Sequence, residues 1–353
     1  MKKAILLLLS LFIVSLAFAG SINNVAISWS ATVGGLTGNP SCGTYNWATG
    51  HFLVCDYTAA AGLKVRIASG TDGSLTGGTL STTGLTLGTL GVFSICAGPD
   101  GVVYGGGNPV LVVLETRVLY RWANEGDGAP TQQEPAQPLG VGMQFPRAMD
   151  VIGTGTSTIV GVTGDSTDYN VTFLTTTDGT TFSVTDYTTV ASLNEREQIK
   201  GGVALVPGMA KVYGTKADGA GQVCRMDSAG IQTWAAAAGF TPPNSYTAPP
   251  TGLGQASPIG YAPNLNVVFV LGSSDVANDY LSVLDGDTGA ILAQTQIGQN
   301  IAIYGYGAID VDDELGEAYF IARAVAVNNF VCGKITFDPW LPPTKANVWN
   351  IYE

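Results

Sequence analysis

Charge is scarce in this chain. Asp, Glu, Lys and Arg make up 12% of its 353 residues, where about 25% is usual. What charge there is leans acidic, with a formal net of −12. No basic patch interrupts it, which argues against nucleic acid or an anionic membrane surface as a partner. Histidine is rarer still. His51 is the sole one, so any Ser-His-Asp arrangement has to use it, and it stands at a turn, where a plain surface histidine is the simpler reading. No G-x-S-x-G occurs, and GTGTST (153–158) lacks the spaced glycines of a phosphate loop. The five cysteines, Cys42, Cys55, Cys96, Cys224 and Cys332, contain no C-x-x-C pair, which leaves a zinc or haem site without support.

Long hydrophobic runs are also missing, with one exception. The chain opens MKKAILLLLSLFIVSLAFAG: two lysines, an apolar stretch from Ala4 to Leu16, then Ala17-Phe18-Ala19. A basic start, a short apolar segment and a small-x-small site describe a secretory signal peptide over 1–19. Its removal takes Lys2 and Lys3 with it, so the net charge falls from −12 to −14. The mature chain is therefore expected outside the cytoplasm, secreted or periplasmic, with no membrane span after cleavage.

What the chain does have is glycine, 47 of them, and much Thr and Ser. The glycines punctuate a repeat. Alternating runs meet tight Gly-containing turns in LKVRIASGTDGS (63–74), LYRWANEGDGAP (119–130), NVTFLTTTDGTTFS (170–183), VCRMDSAGIQTW (223–234) and LSVLDGDTGAIL (281–292). Asp-Gly suits such turns because Gly accepts positive φ and Asp bonds its own turn. The turn glycines, Gly73, Gly128, Gly179, Gly230 and Gly289, are spaced by 55, 51, 51 and 59. Before each hairpin stands another, as in GTYNWATGHFLVCDY (43–57), RAMDVIGTGTSTIVGVT (147–163) and GYGAIDVDDELGEAYFIAR (305–323). Four strands per period of about fifty is the pattern of a propeller blade. Six units fit, so the expected fold is an all-β, six-bladed β-propeller with four-stranded blades. Two β-sandwiches are the competing architecture.

The sixth unit lacks a fourth strand after NFVCGKITF (329–337). The N-terminal NVAISWS (24–30) is a strand without a unit of its own, so it is expected to complete the last blade and close the ring. The chain then reads as a single domain over 20–339 and a Pro-interrupted tail at 340–353.

The motif LYRWANE (119–125), followed by a Pro-containing loop and RAMDVIGTGTSTIV (147–160), resembles a little-characterised family of secreted bacterial propeller-like domains with a Y-R-W-x-N-E strand end. The resemblance covers most of 41–338 and is specific around 119–160. It implies a propeller in a secreted setting, often within longer surface proteins, and implies no activity. TTTDGTTF (175–182) resembles the Asp-box turn of sialidase-like propellers, one residue short. That turn is a structural hairpin rather than a catalytic group.

No catalytic set emerges, and no cofactor is required. A ligand is expected on the face carrying the blade-linking loops, near the starts of the innermost strands. The candidate residues are Tyr45, Arg147, Glu197, Lys200, Gln255, Tyr304 and Tyr306. Tyr rings stack on sugars, while Arg, Glu and Gln supply directional bonds. Asp310, Asp312 and Asp313 cluster as a hard cation such as Ca²⁺ requires, though their spacing departs from a calcium loop and a solvated turn explains them more simply. Cys42 and Cys332 become neighbours if the ring closes and are candidates for a disulfide, with Cys55 and Cys96 as a second pair. The first functional expectation is a secreted binding or cell-surface interaction module, with a carbohydrate or an extracellular protein as ligand. The second is a polysaccharide-active hydrolase or lyase using residues such as Arg147, Asp150, Glu197 and Tyr304. The third is a self-associating structural subunit.

Overall fold

Turn chemistry decides where the strands stop. The computed structural model describes residues 22–36, 39–58, 62–85, 92–107, 118–133, 148–163, 171–186, 199–209, 211–216, 223–227, 258–272, 279–301, 307–324 and 329–341. The segment 1–19 expected to be a signal peptide lies outside them, and among them no helix is long and apolar enough to cross a membrane.

Strand β1 (Ala26–Val33) comes first. Then β2 (Asn39–Asn46), β3 (His51–Thr58), β4 (Gly62–Ser69) and β5 (Leu75–Leu80) pair in chain order as one antiparallel sheet. The second sheet is β6 (Val92–Ala97), β7 (Val103–Gly107), β8 (Val118–Trp122) and β9 (Thr131–Gln133). The third is β10 (Met149–Ile152), β11 (Ile159–Thr163), β12 (Val171–Thr176) and β13 (Phe182–Asp186). The fourth shows β14 (Ile199–Leu205), β15 (Lys211–Lys216) and β16 (Val223–Asp227), and the expected strand at 231–234 lies outside the described residues. The fifth is β17 (Ile259–Ala262), β18 (Val267–Leu271), β19 (Tyr280–Asp285) and β20 (Ile291–Gln296). The sixth is β21 (Gly307–Asp312), β22 (Glu317–Arg323) and β23 (Phe330–Thr336), with β1 as its outermost strand.

The innermost strands touch in a closed circuit, β2 to β6, β10, β14, β17, β21 and back to β2. The fold is thus a six-bladed β-propeller. The N-terminal strand closes it, running antiparallel to β23 from Ala26 opposite Thr336 to Val33 opposite Phe330. Side chain and backbone of the two chain ends also meet: Asn24 Nδ2 donates to Asp338 Oδ1 at 2.9 Å, and Asp338 N to the Asn23 carbonyl at 3.1 Å.

The core lies between blades. Six clusters of buried side chains fill the six interfaces. This is why the strands are so apolar: both faces of a blade are covered. In β8, Leu119 packs toward blade three while Tyr120 and Trp122 pack toward blade one. The Trp122 indole donates to the Ser81 carbonyl at 2.8 Å, so its polar atom is satisfied in the core. Burying each such side chain contributes about 1.5–3 kcal/mol. At Gly73, with φ +73°, an added Cβ would lie 2.6 Å from Cys332 Sγ, so the turn of blade one sits directly on blade six.

Two expectations are corrected here. The hairpin after Trp122 does not turn on Gly128, which lacks positive φ. It closes on Asp127, whose carboxylate accepts from the Ala123 N–H and from Asn124 Nδ2 at 3.1 Å. The disulfides are not formed either. Cys332, Cys55 and Cys96 are buried thiols, and Cys42 faces Cys55 across the β2–β3 pair, in a different cluster from Cys332.

Candidate functional site

Strands ordered outward from the axis place the first turns of the six blades, and the third turns of blades one, two, three and five, at the same end of the ring. At this hairpin end each blade is tied to the next by polar contacts. Glu125, at the end of the LYRWANE motif, accepts from Asn46 Nδ2 at 2.9 Å and from the Thr49 hydroxyl, and contacts His51 Nδ1 at 2.7 Å. The lone histidine is therefore part of a joint between blades one and two. Asp287 joins blades four and five, accepting from Lys211 Nζ and Asn266 Nδ2, each at 2.9 Å, with Arg225 at 3.3 Å. The Lys211 ammonium is the main reason that Asp287 titrates below the ordinary carboxylate range.

Two of these joints face the axis. In β10, Asp150 Oδ2 accepts from the Leu205 N–H of β14 at 2.6 Å, and its Oδ1 from Val151 N–H at 2.8 Å. In β21, Asp310 Oδ2 accepts from the Tyr45 N–H of β2 at 2.8 Å, and the Thr44 hydroxyl lies at 3.3 Å. The two aspartates stand three blades apart, in the matching stretches AMDV (148–151) and AIDV (308–311).

Both line one axial cavity of about 240 Å³, to which all six blades contribute. Its walls are mostly carbon, including Val151, Ile309 and the turn prolines Pro99, Pro207 and Pro263. Trp47 and Tyr261 supply aromatic surface. Trp47 is braced edge-on against Tyr45 and Tyr319, and Tyr261 hydrogen-bonds Asn266 Oδ1 at 3.0 Å. Gly260 lets β17 approach this close: a Cβ there would lie 2.3 Å from the Ile309 carbonyl oxygen.

The setting raises the proton affinity of both acids. Burial pushes Asp150 up to about 6, against the opposing N–H groups of Leu205 and Val151. Burial pushes Asp310 up to about 7; the Tyr45 N–H opposes this, the charge of Asp150 adds to it and the Thr44 hydroxyl opposes it. Both residues are only half-buried, so water tempers the rise.

Tyr45 is not at this cavity. Its ring is buried and stacked on Tyr319, centroids 3.7 Å apart, and it serves the site through its backbone N–H and by bracing Trp47. Arg147, Glu197, Gln255, Tyr304 and Tyr306 lie outside the described residues. Lys200 belongs to β14, but its side chain is not among those described. Residues 134–147, 187–198, 228–257 and 302–306 are likewise outside them. Asp310, Asp312 and Asp313 do not converge. Asp313 caps the first turn of blade five, accepting from Asn264 N at 2.6 Å, and Asp312 caps its own turn through Leu315 N at 2.9 Å. Among the described residues no group of three or more His, Cys, Asp or Glu is arranged to hold a metal.

No family model matches the chain, and no curated protein matches it either.

Proposed function

We propose that this protein is a secreted, non-catalytic β-propeller that acts as a binding or cell-surface interaction module, with a carbohydrate or an extracellular protein as its ligand. The signal-peptide pattern at 1–19 and the weakly charged, hydroxyl-rich composition support the setting. The observation that carries the binding role is the axial cavity, a concave, largely apolar site with a few fixed polar groups, as ligand sites usually are. Its acids act as joints, since each holds the N–H of the next blade's innermost strand, which favours a fixed binding surface.

The test is a glycan array together with an extracellular-protein panel, run on the mature chain and on Trp47→Ala. A hit lost in the variant supports the reading. A hit that the variant retains moves the site to another surface, and a blank on both panels removes carbohydrate and extracellular protein as ligands.

A polysaccharide-active enzyme is the second reading. It is favoured by two carboxylates of raised proton affinity facing one cavity, the pairing that glycoside hydrolysis uses. Reducing-end release from any polysaccharide that binds, abolished in Asp150→Asn and Asp310→Asn, would establish it.

A further inference from the structure

The axial cavity combines features that select one ligand chemistry. Two carboxylates face it from blades three and six. None of its lining residues carries a positive charge, and among the described residues neither acid has a cationic partner. Carboxylates set in an apolar wall are ordinarily paired. The rest of the wall is carbon and aromatic ring, with Trp47 and Tyr261 prominent. Ca²⁺ takes six to eight oxygen ligands, whereas this wall sets two carboxylates among carbon and aromatic surface. At about 240 Å³ the space is also small, below the roughly 300–1,000 Å³ of sites for drug-sized ligands. It suits one slender group with an apolar stem and a charged head.

We propose that the axial cavity binds an organic cation, an ammonium or guanidinium head on a short aliphatic stem, held between Asp150 and Asp310 with its stem against Trp47 and Tyr261. The head completes the hydrogen bonding of the two carboxylates, and charge-assisted bonds of this kind are the strong ones. The aromatic wall adds favourable contact with the cation and covers its methylenes. The acidic balance of the whole chain, −12, draws such a ligand in. This inference rests on the binding role proposed above and names the ligand class for that site. The same head occurs on a free amine and on a Lys or Arg side chain exposed by a partner protein.

The test is calorimetric titration of the mature chain with agmatine, an aliphatic stem with an ammonium at one end and a guanidinium at the other, with the neutral amide N-pentylacetamide, and with a short peptide ending in Lys. Agmatine should bind at least about tenfold tighter than the neutral compound. Asp150→Asn and Asp310→Asn should each weaken agmatine by about tenfold and leave the neutral compound unchanged. The comparison of the two ligands on the unaltered protein needs no variant, so a misfolded variant does not spoil it. A peptide that binds tighter than agmatine points to a protein side chain as the source, and equal or weaker binding points to a free amine. Equal affinity for agmatine and the neutral compound overturns the inference. Neutral sugars or proteins that bind in a Trp47-dependent way while agmatine does not also overturn it, and leave the binding role standing. No binding by any of them overturns both.

Discussion

Blades three and six carry the same device in different surroundings. In both, an innermost-strand aspartate accepts an N–H from the next blade, Leu205 in one case and Tyr45 in the other. Around Asp310 lies the seam of the ring. There Trp29, Tyr45, Phe52 and Tyr319 pack as an aromatic cluster, and the two chain ends are stitched together through β1 and β23. Around Asp150 the chain simply runs on from blade three to blade four, and the interface is filled by smaller side chains such as Val203, Leu205 and Val212 beside Phe173. The chain passes directly from blade three to blade four, whereas at the seam it passes only through β1, which is held to blade six by pairing with β23. The seam accordingly has the larger aromatic cluster.

Removing that support should give the largest effect. Deleting residues 22–33 leaves β23 with an open edge and uncovers the seam. Loss of the cooperative thermal transition by circular dichroism, or loss of soluble protein, is expected. A sharp transition within a few degrees of the parent would show that closure contributes little. Next come single core truncations. Phe52→Ala at the seam should cost about 3–5 kcal/mol and Leu205→Ala at the blade three–four interface about 2–5 kcal/mol in chemical denaturation. A larger loss at Leu205 than at Phe52 would reverse the comparison.

The aspartates themselves sharpen it through pH. Both have proton affinities above their unfolded value of 3.8, so the folded state holds more protons and stability falls as pH rises through about 6 to 7. The neighbouring Cys96 thiol and Tyr45 phenol are pushed up by burial and stay neutral over this range. The melting temperature should therefore be higher at pH 5 than at pH 8, by about 2–4 °C after allowing for channel water. Asp310→Asn should flatten this slope more than Asp150→Asn, since burial raises Asp310 further, to about 7 against about 6. An opposite slope in the parent would contradict the account. The smallest effect is expected at Lys211→Ala, where a part-exposed ion pair to Asp287 is lost. It should cost no more than about 1 kcal/mol, less in high salt.

The sequence made the architecture readable because turn residues and strand alternation are local. LKVRIASGTDGS and LSVLDGDTGAIL announce their hairpins, and Gly73 and Gly289 take the expected positive φ. The closing strand was legible by elimination, as a strand with no unit and a unit with no strand, although it runs over 26–33 rather than 24–30. The site was less legible because it is built from residues far apart in the chain. Tyr45 looked like a stacking platform, yet a tyrosine at the seam is drawn into the core by Tyr319, about 270 positions away. The carboxylates of DVDDELGE looked like one cluster, but their backbone positions send them to three different partners. The signal that was present is the echo of AMDV in AIDV three units apart, which marks both axial acids. Trp47 and Tyr261 carried no such mark, because only the ring brings the first turns of six blades together.

The most direct test of the account is a crystal structure of the protein grown with the tightest ligand found by titration. Density for that ligand is predicted on the ring axis, within hydrogen-bonding distance of both Asp150 and Asp310 and against Trp47. A ligand seated only on the blade-linking loops, with the axial cavity filled by water, would contradict it.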